Sequence, residues 1–321
     1  MGADATNRPC LIVNPRSFRA SWLGYARRGA RLAHAAGLDV HQVFDPSSVC
    51  ALLDRLRASG QQQIWVLAGD GTLHAMADYF AARGGDWSPG LLLLAGGRAN
   101  LVPRECGGYP AMPMLRKALA AWREGRPLRE ERLPTLQVSQ AGQPTRHGFL
   151  LAGAMIHDVL SELVAHRAAG WWRTGFFSGP YVYTRLIVLG LLGRKPLPPA
   201  AHIVTRLAGR GELAAPVRIL LASTLELRRA LYNPFAARGT GPVRLTAIAA
   251  DAPRFWRRLP KIIKGRFDND MDLAQGFLSG RGERAELLGV AGYALDGEIF
   301  AADPAQPLVF TAGVALKVLH P

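Results

Sequence analysis

Short apolar runs alternate with amphipathic stretches over the first third of the chain. Residues 9–14 read as a buried strand, with Pro15-Arg16-Ser17 as the turn that follows. Residues 23–36 place apolar side chains at helical spacing and stop at Gly37. Residues 39–44 alternate as a strand, Asp45-Pro46-Ser47-Ser48 has the form of a helix N-cap, and 49–58 predict the helix behind it. Further along, 64–68 and 91–95 predict strands, and 72–82 and 112–124 predict helices. Strands and helices alternating at this spacing predict a parallel sheet covered on both faces. Ligands of such sheets gather beyond the strand C-termini, where Asn14, Asp70 and Gly96-Gly97 fall.

The pattern changes around residues 127–134. Short strand-like pieces follow at 135–138, 147–152, 217–222, 243–249, 286–288, 293–295 and 308–311, punctuated by Gly and Pro. They predict a β-rich second domain. Helical stretches at 155–166 and 171–192 lie between them, and no internal repeat is visible. The fold class expected is α/β plus β: an α/β domain over 1–132 and a β-sandwich-like domain over 133–304.

Composition narrows the partners. The 321 residues are 49% hydrophobic and 20% charged, a folded chain by balance, with a formal net charge of +15. Such an excess calls for an anionic partner or surface, although the basic residues are mostly arginine in an Ala- and Gly-rich chain, which fits a coding bias as well. Cys10, Cys50 and Cys106 share no metal-type spacing and read as reduced thiols of a cytoplasmic protein. No apolar segment at the N-terminus suggests a signal peptide, and the apolar run at 186–192 is too short to span a membrane.

Chemistry concentrates in Ala68-Gly69-Asp70-Gly71-Thr72-Leu73-His74. Glycines at a strand-to-helix turn let the backbone approach an anion or take positive φ, and the helix N-terminus offers unpaired N–H groups to a phosphate. Asp70 adds a carboxylate suited to a phosphate-bound metal ion or to accepting a proton from a hydroxyl.

Four segments then line up: Asn14-Pro15-Arg16-Ser17, Gly69-Asp70-Gly71-Thr72, Gly96-Gly97-Arg98-Ala99-Asn100 and Leu295-Asp296-Gly297-Glu298. Their order and spacing resemble the diacylglycerol kinase catalytic-domain family, which includes bacterial soluble lipid kinases and the sphingosine and ceramide kinases. The resemblance runs from Leu11 to the closing residues 315–319. It implies a nucleotide-binding domain followed by a β-sandwich, with residues 305–321 returning to the first domain. It also implies transfer of the γ-phosphoryl group of ATP, with Mg²⁺, to a lipid hydroxyl: a diacylglycerol-type acceptor first, a ceramide or sphingoid base second.

On that resemblance the catalytic candidates are Asp296, Glu298 and Asp70, with Asp296 the first choice of base and Asp70 the metal ligand. In some relatives the equivalent of Asp70 is the proposed base, so the two roles stay open. Asn14, Arg16, Ser17, Gly69, Asp70, Gly71, Thr72, His74, Gly97, Arg98 and Asn100 are the nucleotide-binding candidates. The chain departs from the family at Ala68, where a further glycine is usual, and at Arg98 and Leu101, which replace a Thr and an Asp. It departs again at Ala75, which lacks a carboxylate, and near Gly239–Val243, which lacks an Asp-Gly for a second metal. The competing readings are an NAD kinase-like enzyme with a soluble acceptor and a catalytically inactive membrane-binding homologue.

Residues 254–267 contain Arg254, Trp256, Arg257, Arg258, Lys261, Lys264 and Arg266 with no acidic residue. Cations interleaved with aromatics suit an anionic membrane surface. A second aromatic cluster falls at 171–177. No nucleic-acid-binding signature is present, so nucleic acid is not expected as a partner. The location expected is cytoplasmic, peripheral to the inner membrane face, and a homodimer is compatible with the family. Asp268, Asp270 and Asp272 lack the Gly and Glu of a calcium loop and read as capping residues.

Overall fold

Runs of apolar residues without polar interruption become strands buried on both faces, as a helix-covered sheet requires. The computed structural model describes residues 8–84, 86–98, 100–155, 157, 200–230 and 232–321. Apart from Met155 and His157, which are helical, the helices expected over 155–166 and 171–192 lie outside these residues. The chain forms two compact units. One comprises Met1–Thr135, Leu225–Leu231 and Gly313–Pro321, the other Leu136–Thr224 and Tyr232–Ala312.

In the first unit, strands β1 (Cys10–Val13), β2 (Asp39–Gln42), β3 (Gln63–Ala68) and β4 (Gly90–Ala95) lie parallel in the order 4-3-1-2. Every residue of β1 and β4 is buried. Side chains alternate across the sheet. Leu11, Val13, Trp65, Leu67, Leu92 and Leu94 join one core with Ala33 of helix α2 (Tyr25–Ala35) and with Met112, Leu115 and Leu119 of α6 (Ala111–Arg123). Helices α3 (Pro46–Ala58) and α4 (Asp70–Ala82) pack against each other, where Asp54 accepts from Tyr79 Oη and Arg83, both at 2.8 Å. Two five-residue helices, α1 (Phe18–Trp22) and α5 (Leu101–Glu105), occupy segments whose sequence carries too few turns to show a helical period. The closing strand pairs parallel to β4 through Val318 and Leu91.

The second unit is antiparallel, and its strands are longer and more numerous than local pattern suggests. Strands β5 (Arg129–Ser139) and β15 (Leu308–His320) each run through the division between the units. Between them come β6 (Arg146–Gly148), β7 (Leu150–Ala154), β8 (His202–Leu207), β9 (Gly211–Ser223) and β10 (Val243–Ala249). They are followed by β11 (Phe277–Gly282), β12 (Arg284–Leu288), β13 (Gly292–Leu295) and β14 (Glu298–Ala301). The first half of β9 pairs with β8, and the second half pairs with β7 and β10. This one strand therefore serves two sheets. Residues of both sheets, among them Leu136, Leu151, Ile203, Leu245, Leu287, Leu295 and Phe310, bury one shared core, the arrangement of a β-sandwich. Strand β11 (FLSGRG) holds two glycines and a serine, which is why composition did not mark it. No helix among the described residues is long and apolar enough to cross a membrane.

The N-cap read at Asp45 is a full capping box. The Ser48 N–H donates to Asp45 Oδ1 at 2.8 Å, and the Asp45 N–H donates to Ser48 Oγ at 3.0 Å. The Ser48 N–H first, then the Ser47 and Ser48 hydroxyls, hold the Asp45 carboxyl below its ordinary 3.8. A carboxyl whose pKa falls on folding contributes stability that is present above its unfolded value and lost as pH falls through the folded one. Asp45→Ala is accordingly expected to lower the urea midpoint at neutral pH. The gap from the parent should close as titration proceeds below pH 3.8.

Candidate functional site

Three loops at the C-terminal ends of β1, β3 and β4 carry the first unit's motif residues, and hydrogen bonds lock them together. Asn14 Nδ2 donates to Thr72 Oγ1 at 2.9 Å, while Asn14 Oδ1 accepts from the Arg16 N–H at 2.9 Å. Ser17 Oγ accepts from the Gly69 N–H at 2.9 Å. Asp70, at the first position of α4, accepts through Oδ2 from the Asn100 N–H at 3.2 Å. A carboxylate there also faces the positive end of the helix dipole.

Asn100 organises the loop after β4. It is fully buried, takes a left-handed φ of 51°, accepts from the Gly97 N–H at 2.7 Å and donates back to Gly97 O at 2.8 Å. The glycines serve a purpose other than the positive φ anticipated from sequence. Gly69 has φ −95°, and neither Gly71, Gly96 nor Gly97 is left-handed. A Cβ on Gly97 would instead stand 2.7 Å from the Gly69 Cα, so these two loops touch backbone to backbone.

Around this lock stand cations on aromatic rings. The Arg98 guanidinium lies 4.3 Å from the Phe18 ring centroid, and Arg16 lies 5.3 Å from that of Phe44. Both arginines are exposed. His74 is buried one helical turn beyond Asp70, its Nε2 3.5 Å from Asp78 Oδ2. Cys10 is no nucleophile at neutral pH, because burial pushes its thiol up to about 12, and burial raises Cys106 as well.

These residues suit nucleotide phosphates. Thr72 N–H turns back to Gly69 O, while the Gly71 N–H of the first helical turn is a donor available to an anion, and exposed Arg16 and Arg98 stand on the loops after β1 and β4. No group of three or more His, Cys, Asp or Glu side chains gathers among the described residues. One carboxylate at such a turn fits Mg²⁺ of the kind held mainly by phosphate oxygens and water.

In the second unit, Asp296-Gly297 is the two-residue turn of the β13–β14 hairpin, with φ of 52° and 92°. Asp followed by Gly is the pair that such a turn favours. The Asp296 carboxylate accepts the Phe149 N–H at 3.0–3.1 Å and the Leu150 N–H at 2.9 Å, and the Asp296 N–H donates to Leu150 O at 2.9 Å. Phe149 is buried, and its carbonyl accepts from Ser223 Oγ at 2.7 Å. Glu298 begins β14 as an exposed residue. Gly148 and the two amides after it are participants the sequence did not reveal. They bear no side-chain chemistry, and only the hairpin 146 residues beyond Leu150 gives them a role.

The basic stretch forms helix α7 (Phe255–Ile262), whose apolar face enters the second unit's core through Phe255 and Ile262. Two of its cations meet acids: Arg258 pairs with Asp270, and Lys261 Nζ lies 2.5 Å from Asp268 Oδ2. Asp272 caps a short 3-10 turn by accepting from the Gln275 N–H at 3.0 Å. The aromatic cluster at 171–177 lies outside the described residues.

No protein-family model matches the chain, and no curated protein sequence matches it. Solved structures do. A protein from Bacillus anthracis str. Sterne, provisionally assigned as a diacylglycerol kinase, superposes with a TM-score of 0.65 at 13% identity, covering 99% of each chain. A second from the same organism, provisionally assigned likewise, gives 0.64 at 14% over 99% of each chain. A diacylglycerol kinase from that organism gives 0.62 at 10%, covering 99% of this chain and 98% of its own. This chain has the fold of those proteins. The match extends over the parallel α/β part and the antiparallel strand-rich part alike.

A Cβ on Gly148 would lie 2.5 Å from Asp296 Oδ2 and 2.6 Å from Leu295 Cγ. Gly148→Ala is therefore expected to push the carboxylate off the Phe149 and Leu150 amides. Loss of a hydrogen bond to a charged group is worth about 1.5–3 kcal/mol, so exchange at those two amides should quicken on the order of 10–100-fold. Unchanged protection in the variant would show that the carboxylate does not hold them.

Proposed function

We propose that this chain is an ATP-dependent lipid kinase that phosphorylates a lipid hydroxyl, of diacylglycerol type first and of a ceramide or sphingoid base second. The observation that carries the reading is the locked cluster of Asn14, Asp70, Thr72, Gly97 and Asn100 at the strand ends, in a chain with a diacylglycerol kinase fold. Bound Mg²⁺–ATP would supply the γ-phosphoryl group and neutralise its charge. The rest is the work of positioned side chains, since phosphoryl transfer asks for placement and electrostatics rather than protein covalency.

In this reading the first unit holds the phosphates. The Gly71 N–H and the Arg16 and Arg98 guanidiniums would bind anionic oxygens, and Asp70, oriented by the Asn100 N–H, would hold the metal ion. Asp296 receives the acceptor's proton. The lipid oxygen would form its bond to the γ-phosphorus as the bond to the leaving ADP breaks, and the hydroxyl proton would pass to the Asp296 carboxylate. Two backbone N–H donors fix that carboxylate, so it loses little orientational freedom when it acts. Thr72 and His74 are in supporting positions: Thr72 meets Asn14, and buried His74 meets Asp78.

The assignment is tested by incubating the full chain with a total lipid extract and γ-labelled ATP, then identifying the labelled product by mass. Asp296→Asn is expected to lower kcat by roughly 10²–10⁴-fold, the usual contribution of a general base, with the melting temperature measured alongside as the folding control. Asp70→Asn should act chiefly on the Mg²⁺ and nucleotide requirement. Full activity in either variant removes that residue from the mechanism. Labelling of NAD in place of lipid would establish a soluble acceptor.

A further inference from the structure

The basic helix and the residues that flank it carry charges that the proposed chemistry does not use. Arg254, Arg257, Lys264 and Arg266 are all exposed, and none has a carboxylate partner among the described residues, whereas Asp268 and Asp270 are taken up by Lys261 and Arg258. Arg218 adds a guanidinium against the same helix, over the Phe255 and Trp256 rings, with Nη2 donating to Ala250 O at 2.6 Å. Helix α7 is itself anchored by Phe255 and Ile262, so these charges stand on a fixed support.

Beside them is an exposed apolar pair. Ile263 is 40% exposed and Tyr232 is 43% exposed, and the Asn233 N–H donates to Ile263 O at 2.8 Å, which brings the two segments together. An aliphatic tip and a tyrosine set among unneutralised cations match the interfacial layer of an anionic bilayer. Phosphate headgroups meet the charges there, and the apolar tips enter the acyl boundary.

We propose that helix α7, together with Ile263, Lys264, Arg266 and Tyr232, is the surface by which this protein docks on anionic phospholipid. The proposal names a partner for the lipid kinase read above and rests on that reading for its purpose, though not for its geometry.

The test uses the full chain sedimented with phosphatidylcholine vesicles that either contain or lack phosphatidylglycerol. Binding is expected only with phosphatidylglycerol and should weaken as salt is raised. In the variant Arg254→Gln/Arg257→Gln/Lys264→Gln/Arg266→Gln, each lost charge should reduce partitioning on the order of fivefold. Tyr232→Ser/Ile263→Ser should abolish the fraction that resists salt. Partitioning of the four-charge variant equal to that of the parent, with the same melting temperature, would overturn the proposal. So would tighter binding of the parent to duplex DNA than to the anionic vesicles. Transfer to a short-chain diacylglycerol dispersed as monomers separates the two claims. If docking fails while that transfer persists, only the surface is wrong. If transfer is absent while docking persists, only the kinase reading is wrong.

Discussion

Gly69 and Gly97 meet backbone to backbone, with 2.7 Å between the Gly69 Cα and the place a side chain on Gly97 would begin. The turn after β3 and the loop after β4 therefore have one shared position available to them, and the polar groups of the first unit are spaced from it. The Asn100 amide closes the β4 loop on itself, its N–H reaches Asp70, and Ser17 holds the Gly69 N–H. A buried amide with both ends hydrogen-bonded is rigid because any rotation would strand a polar atom away from water. Asp70 thus inherits its orientation from a residue thirty positions away.

The second unit solves the same problem with different parts. Its candidate base sits at the tip of a hairpin, where side chains would ordinarily be mobile. Backbone amides from the link between β6 and β7 bind the carboxylate, and buried Phe149 anchors that link. One side chain thus both ties the β13–β14 hairpin to the start of β7 and carries the chemistry proposed. The fold and the site share these bonds, so a substitution at Asp296 has to be read with a folding control beside it.

Local signals in the sequence reached some of this and missed the rest for physical reasons. The N-cap at Asp45 and the apolar β3 run leading into Gly69-Asp70-Gly71-Thr72 lie within a few residues of their partners, so pattern alone marks them. The Gly69–Gly97 contact, the Asn14–Thr72 bond and the amides behind Asp296 join distant segments, and no local pattern encodes them. The basic run shows both sides of this limit. Its charges were legible, but the burial of Phe255 and Ile262 and the pairing of Arg258 with Asp270 needed the neighbouring strands.

Strand β15 bears on how the chain comes to be folded. Its end pairs with β4 through Val318 and Leu91, so the parallel sheet begun by the first hundred residues is closed by the last strand described. Until that strand arrives, the apolar run Gly90–Ala95 is a sheet edge of open hydrogen-bonding groups, the kind of surface that pairs with other chains. A product truncated before β15 would carry an uncovered edge for chaperones and proteases to recognise.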